Sequence, residues 1–332
     1  MVATEHNVQV GVTRSSRSRP WRRRRTGIRP SRRLRRATPY LFMAPAVIAV
    51  VLVQIVPMLA GVVMSFMKLN QFTIGDWTHA PFVGLSNYRI AIGSDNAISR
   101  ALFTSFLVTF LYSVVIVVGS WVLGMAAAVF LSEEVRGRKV MGSLFLLSYA
   151  LPTFVAATLW TFMFQPHGAV NVVLGDDLGL IPGDTFWFAG SKAFWAMSVN
   201  TLWRTWPFAF LMLLPAVQSI PGELFEAARV DGANRWREFR AITLPSTRSV
   251  ALLLVLIIGF WTFNDFTTPY LMFSSAAPTS VDVLSLVIYR TSFVNLNFGL
   301  GSAMSLLMVA FMVGASMLYL RALRMDVEGL GA

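Results

Sequence analysis

The chain has 332 residues, of which 55% are hydrophobic and 13% are charged. Soluble domains carry about 25% charged residues, so this composition excludes an ordinary water-exposed surface and predicts an integral membrane protein covered mainly by lipid. The formal net charge of +12 does not predict a nucleic-acid binder, because nearly all of the excess lies in one N-terminal arm.

Residues 1–38 form this basic arm. Twelve arginines lie between Arg14 and Arg36, and Glu5 is the only acidic residue before them. Because the arm has few apolar residues, we expect it to be disordered. Its charge favours a position at the anionic cytoplasmic membrane surface, with RNA binding as the alternative.

Six segments are long and apolar enough to cross the hydrocarbon core, which takes about 20 residues each. Pro152 and Pro207 are expected to kink their helices. The segments are Tyr40–Met67, Ala101–Leu131, Val140–Phe164, Ala193–Ile220, Val250–Met272 and Gly301–Leu320.

Basic residues precede the first segment, separate segments two and three and segments four and five, and follow segment six. The positive-inside rule therefore places both termini in the cytoplasm. The prediction is an all-α, six-helix domain over 39–324, multi-pass in a membrane, with a cytoplasmic tail at 325–332. The outer loops, Lys68–Arg100 and Gln165–Lys192, are rich in turn residues and are expected to form a small external cap.

The chain contains no group that suggests chemistry of its own. It has no cysteine, its three histidines are scattered, and it lacks both a Walker-type phosphate loop and a paired catalytic constellation. We predict no catalytic residue, no metal site and no cofactor bound by this chain.

The cytoplasmic loop at 220–246 reads as two short amphipathic helices. Pro221 favours a helix start, Gly232 permits a turn and Pro245 ends the second helix. Trp236 and Phe239 belong to an apolar stripe at helical spacing. On physical grounds alone, docking to a partner and lying in the membrane interface are equally good interpretations.

The residue spacing of this loop resembles the EAA loop of ATP-binding-cassette (ABC) importer permeases. Glu226-Ala-Ala is followed after three residues by Gly232, and after nine more by Ile242-Thr-Leu-Pro245. The resemblance covers about Pro39 to Leu323.

The flanking segments resemble the carbohydrate-uptake, maltose-type branch of this family. These segments are Phe82-Val-Gly-Leu-Ser-Asn-Tyr88 and Gly299-Leu-Gly-Ser-Ala303. One departure is Ser274-Ser-Ala-Ala-Pro278, which stands where the family often has a Gly-Gly-Pro turn after the fifth span.

The resemblance implies a type I ABC importer permease fold, and a transport subunit rather than an enzyme, located in a bacterial inner or plasma cell membrane. It implies four kinds of partner: a second permease of different sequence, two ATPase subunits that hold ATP and Mg, an extracytoplasmic solute-binding protein, and membrane lipid, with no nucleic acid. The solute is expected to be a sugar, a related polyol or a glycerophospho-compound. The residues that it assigns to ATPase coupling are Glu226, Ala227, Ala228, Asp231, Gly232, Ala233, Ile242, Leu244 and Pro245.

Arg204 in span four and Asp265 in span five lie at comparable depths. Ionisable residues inside a membrane are functional hypotheses by default. We expect a solute path lined by Arg204, Trp206, Asn264, Asp265 and Tyr270. The alternatives are a purely structural Arg204–Asp265 ion pair near the outer gate, or side chains that extend into the lipid headgroups.

Two other classes of membrane protein remain as alternatives. A secondary transporter or channel would require inverted repeats or an ion relay, and neither is detected in the sequence. An integral-membrane enzyme would require a catalytic constellation, which the sequence does not contain.

Overall fold

A computed structural model describes residues 42–93, 96–133, 136–274 and 277–329, with side chains up to Ala322. The basic arm at 1–38 lies outside these residues. The chain divides into two compact units, Met1–Pro57 and Met58–Ala332, and the packing reported below lies within the second.

The described residues are helical and contain no β-strand, apart from an isolated bridge between Met67 and Phe82. Short helical turns lie at Ile74–His79, Ala169–Asn171, Val172–Asp177 and Thr279–Val281. The helices are α1 (Phe42–Ser65), α2 (Ser86–Ile92), α3 (Ala97–Ser132), α4 (Arg138–Ala150), α5 (Thr153–Met163), α6 (Gly190–Gln218), α7 (Gly222–Val230), α8 (Arg235–Ser246), α9 (Arg248–Phe263), α10 (Thr267–Phe273), α11 (Leu284–Val294) and α12 (Phe298–Gly329).

Three of these helices, α1, α3 and α12, are each long and apolar enough to cross a membrane. Three bent pairs also meet that requirement together: α4 with α5 at 93°, α6 with α7 at 70°, and α8 with α9 at 67°. The described residues therefore provide three candidate spans, or up to six if each bent pair is one span.

Two of the predicted spans are each broken into two helices, and the kink expected at Pro152 is confirmed as a 93° bend. The segment Val140–Phe164 is interrupted at Leu151 and Pro152, because proline lacks the N–H that a continuing helix needs and its ring clashes with the preceding turn. The segment Val250–Met272 is interrupted between α9, which ends at Phe263, and α10, which begins at Thr267. Pro207, by contrast, lies inside the unbroken α6.

The main core forms where α3 packs along α6. This approach depends on Gly124, because a Cβ at that position would lie 2.7 Å from the Cβ of Ala209. Small residues let helix backbones approach closely within a membrane. The contact buries Tyr112 and Ile116 of α3 together with Phe210 of α6.

The two flanking sequence segments meet at the end of α1. Asn87 donates from Nδ2 to the carbonyl oxygens of Ser65 at 2.8 Å and of Met67 at 3.0 Å. The Gly299 amide donates to the carbonyl oxygen of Leu69 at 2.9 Å, and a Cβ on Gly299 would overlap the Met67 carbonyl. Asn87 of α2 and Gly299 of α12 therefore both hydrogen-bond to the same short stretch of chain, residues 65–69.

Candidate functional site: an exposed loop and a polar cavity

The turn between α7 and α8 is a Schellman motif. Gly232 has φ +79°, its amide donates to the Arg229 carbonyl at 3.0 Å, and the Ala233 amide donates to the Ala228 carbonyl at 2.9 Å. These two bonds satisfy carbonyl groups at the end of the helix, and they require a left-handed residue at the turn. Glycine adopts this conformation without the steric cost that a side chain imposes.

A salt bridge and a helix cap fix the angle between α7 and α8. Arg229 Nε donates to Glu238 Oε1 at 2.9 Å, and this hydrogen bond raises the pKa of the Arg229 guanidinium. Glu238 is buried whereas Arg229 is exposed. The side chain of Asn234 accepts a bond from the Arg237 amide at 2.9 Å and so caps α8.

None of the nine residues of α7 is buried. Its apolar residues Val230 and Leu224 are 89% and 48% exposed. Of the nine residues assigned to coupling, Glu226, Ala227, Asp231, Gly232 and Pro245 are exposed, and Ala228, Ala233, Ile242 and Leu244 are half-buried. The loop thus presents α7 outward, while Phe239 of α8 packs against the main core.

A polar cavity of about 270 Å³ lies among α4, α5, α6, α9 and the chain that leads into α10. It contains both ionisable residues that the sequence places inside the spans. Its lining residues are Tyr149, Thr153, Thr201, Arg204, Thr205, Trp261, Thr262, Asp265 and Thr267.

Asp265 occupies the break between α9 and α10. Its Oδ1 accepts from the Thr268 amide at 3.1 Å, and its Oδ2 lies 2.9 Å from the hydroxyl of Tyr112. Its backbone carbonyl accepts from Ser285 Oγ at 2.8 Å. The residue therefore holds four segments together at the cavity wall: α3, α10, α11 and its own.

Arg204 is half-buried and lies on the α6 side of the same cavity. Among the described residues it forms no hydrogen bond or salt bridge, so the ion pair with Asp265 does not form in this structure. A guanidinium carries five donors in a fixed fork. These donors can form hydrogen bonds inside the cavity.

The other three residues predicted to line the path are not among the residues that line the cavity. Trp206 packs edge-to-face on Phe145, with 5.2 Å between ring centroids. Asn264 donates to the Phe260 carbonyl at 3.0 Å, and Tyr270 stacks on Phe266 at 4.9 Å.

Sequence reasoning missed the threonines of the cavity, although their spacing carries a signal. Thr201 and Thr205 are four residues apart, and Thr201 is three residues before Arg204, so all three share one face of α6. Thr262 precedes Asp265 by three residues. A search for polar residues at helical spacing from each intramembrane charge would have found these positions. Tyr149 and Thr153 line the cavity because of the bend at Pro152, and the sequence does not predict the direction of that bend.

Comparisons with known proteins identify the family. Residues 120–324 match the model described as "Binding-protein-dependent transport system inner membrane component". The inner membrane ABC transporter permease protein YcjO of Escherichia coli is 33% identical over 87% of this chain and 94% of its own length. The trehalose/maltose transport system permease protein MalF of Thermococcus litoralis is 30% identical over 85% and 92%.

A solved structure shows the same fold. A chain from the bacterial alginate ABC transporter, in complex with an alginate pentasaccharide-bound periplasmic protein, superimposes with a TM-score of 0.69. The match is 19% identical and covers 86% of this chain and 94% of that chain. The protein belongs to the family of binding-protein-dependent transport system inner membrane components, as a membrane-embedded permease subunit of the carbohydrate-uptake ABC type.

Proposed function

We propose that this chain forms one half of the translocation pathway of an ATP-driven importer, with six spans and both termini in the cytoplasm. The three long helices supply three candidate spans, and the three bent pairs supply up to three more. Within two of those pairs, α6 and α9 would cross the membrane, while α7 and α8 would belong to the cytoplasmic loop. The basic residues of the loops favour this orientation. A second permease of different sequence would supply the other half of the pathway.

The single observation that carries the coupling role is the exposure of α7. A nine-residue helix with no buried side chain, and with Val230 89% exposed, has an apolar surface that a partner can cover. We propose that α7 seats in a groove of a cytoplasmic ATPase, where Glu226 faces a basic residue. ATP and Mg belong to that partner, of which the complex contains two copies.

The polar cavity supports the proposal for the solute. Arg204 donates, Asp265 accepts, and the threonine hydroxyls do both, while Trp261 offers an aromatic face. This lining suits a hydroxyl-rich ring or chain, such as a sugar, a polyol or a glycerophospho-compound. The names of the relatives, which include a trehalose/maltose permease, favour a sugar. We propose that an extracytoplasmic binding protein delivers this solute to the outer face.

Reconstituted vesicles test this function. The chain is assembled with its ATPase, second permease and binding protein, and uptake of maltose, trehalose and glycerol 3-phosphate is measured with and without ATP. We expect uptake of at least one of these solutes that requires both ATP and the binding protein. Uptake by the permease chains without the ATPase would contradict the proposal and would favour a secondary transporter or channel.

A further inference from the structure

Tyr112 of α3 is fully buried in the main core and does not line the cavity. Its hydroxyl nevertheless lies between two residues that do. The phenol oxygen is 2.7 Å from Thr201 Oγ1 and 2.9 Å from Asp265 Oδ2. Tyr112 therefore contacts the α6 wall and the α9–α10 wall of the cavity from behind.

Asp265 needs such support because it lies outside regular helix. α9 ends at Phe263 and α10 begins at Thr267, and the Asp265 amide makes a turn bond to the Thr262 carbonyl at 3.2 Å, three residues back. The carboxylate is held by the Thr268 amide on Oδ1 and by the Tyr112 hydroxyl on Oδ2. A carboxylate offers about four acceptor sites, so two donors orient the group and leave acceptor capacity for the cavity.

We propose that Tyr112 is a positioning residue that aims the Asp265 carboxylate into the cavity and so sets solute affinity without touching the solute. This proposal rests on the proposed role of the cavity as the solute path. Thr201 is part of the same arrangement, since it contacts the phenol and lines the cavity. A solute hydroxyl that binds Asp265 then depends on the Tyr112 hydroxyl, which lies behind the cavity wall and donates to the Asp265 carboxylate.

The decisive variant is Tyr112→Phe, which removes the hydroxyl and retains the ring that fills the core. The matched control is Tyr319→Phe, because Tyr319 donates its hydroxyl to the Leu252 carbonyl at 2.7 Å and lies outside the cavity. For whichever of maltose, trehalose and glycerol 3-phosphate the wild-type vesicles import, half-saturating concentration and maximal rate are measured separately.

We expect Tyr112→Phe to raise the half-saturating concentration about tenfold, the size expected for loss of one hydrogen bond to a charged group. The maximal rate and the amount of assembled complex stay close to wild type, and Tyr319→Phe leaves both uptake constants unchanged. In an Asp265→Asn background, adding Tyr112→Phe has much less effect, because the carboxylate that it positions is already gone.

A second pair of variants keeps the test informative if Tyr112→Phe fails to assemble. Thr201→Ser retains the hydroxyl beside the phenol and is expected to behave like wild type, whereas Thr201→Val is expected to raise the half-saturating concentration.

The outcomes separate the two proposals. If Asp265→Asn weakens uptake and Tyr112→Phe does not, the positioning role is overturned and the solute path stands. The positioning role is also overturned if Tyr112→Phe has its full effect in the Asp265→Asn background. If neither Asp265→Asn nor Arg204→Met changes uptake, or if no solute of the panel is imported, the solute path fails and the positioning role fails with it.

Discussion

Arg229 and Glu238 form a salt bridge across the Gly232 turn, with 2.9 Å between Nε and Oε1. The bridge joins the exposed helix α7 to α8, whose Phe239 packs against the main core. α8 leads directly into α9, so the bridge and the Gly232 turn connect the exposed helix to a candidate transmembrane helix. The bridge is therefore expected to make the junction between α7 and α8 rigid.

The Arg229→Ala variant tests this rigidity. It leaves the buried Glu238 carboxylate without its charged partner, and such a group is costly to leave unpaired. We expect a lower thermal unfolding midpoint of the purified chain and slower ATP-driven uptake. The control is Arg237→Ala, which removes an exposed side chain from the same loop and is expected to change neither quantity. Equal behaviour of the two variants would contradict the structural role of the bridge.

The Gly232 turn predicts a ranking of substitutions. A Cβ at Gly232 meets no atom within 4 Å, so the cost of a side chain comes only from the left-handed backbone, at roughly 1–2 kcal/mol. Gly232→Ala is expected to reduce co-purification with the ATPase, and Gly232→Asn to reduce it less, because asparagine tolerates this conformation better. An alanine variant as competent as wild type would show that the turn does not constrain docking.

Two glycines, one at the contact between α3 and α6 and one in α9, are predicted to affect stability differently when replaced by alanine. Gly124→Ala places a methyl group 2.7 Å from the Ala209 Cβ, an overpacking that costs about 1–3 kcal/mol. Gly259→Ala in α9 meets open space and is expected to be neutral or slightly stabilising, since alanine is the better helix former. Thermal unfolding of both variants in detergent measures the difference. A Gly124→Ala variant as stable as Gly259→Ala would mean that α3 and α6 are not in this contact.

The two cavity charges predict an effect on uptake affinity. Arg204→Ala and Asp265→Ala each remove a group that faces the cavity, so we expect the half-saturating solute concentration to rise in both. Asn264→Ala serves as the control, because Asn264 lies outside the cavity lining. Well-assembled complexes with unchanged uptake affinity and rate would remove Arg204 and Asp265 from the solute path.

The helical fold and the turn of the cytoplasmic loop were predictable from sequence, because apolar length, proline position and a left-handed glycine act locally. The family also followed from short motifs, and the structure gives the physical reason for two of them: Asn87 and Gly299 contact the chain that follows α1. Each motif therefore makes a contact between segments that are distant in sequence.

Only some of the residues that line the cavity were predictable from the sequence. Arg204 and Asp265 are conspicuous as charges in apolar segments, and the cavity contains both. Trp206, Asn264 and Tyr270 have side chains suited to sugar rings but do not line the cavity, because neighbouring residues on a helix point in different directions. The 93° bend after Ala150 brings in Tyr149 and Thr153, and its direction depends on packing that the sequence does not display.

The proposed position of α7, facing the cytoplasm and docked on an ATPase, can be tested directly. Because the chain contains no cysteine, Val230→Cys gives a single thiol at the most exposed apolar position of α7. Labelling with a membrane-impermeant maleimide is compared in intact cells and in inside-out vesicles, with and without the ATPase. We predict that Val230→Cys is labelled only in inside-out vesicles and that bound ATPase protects it from labelling. Labelling in intact cells, or no protection by the ATPase, would contradict the cytoplasmic docking of α7.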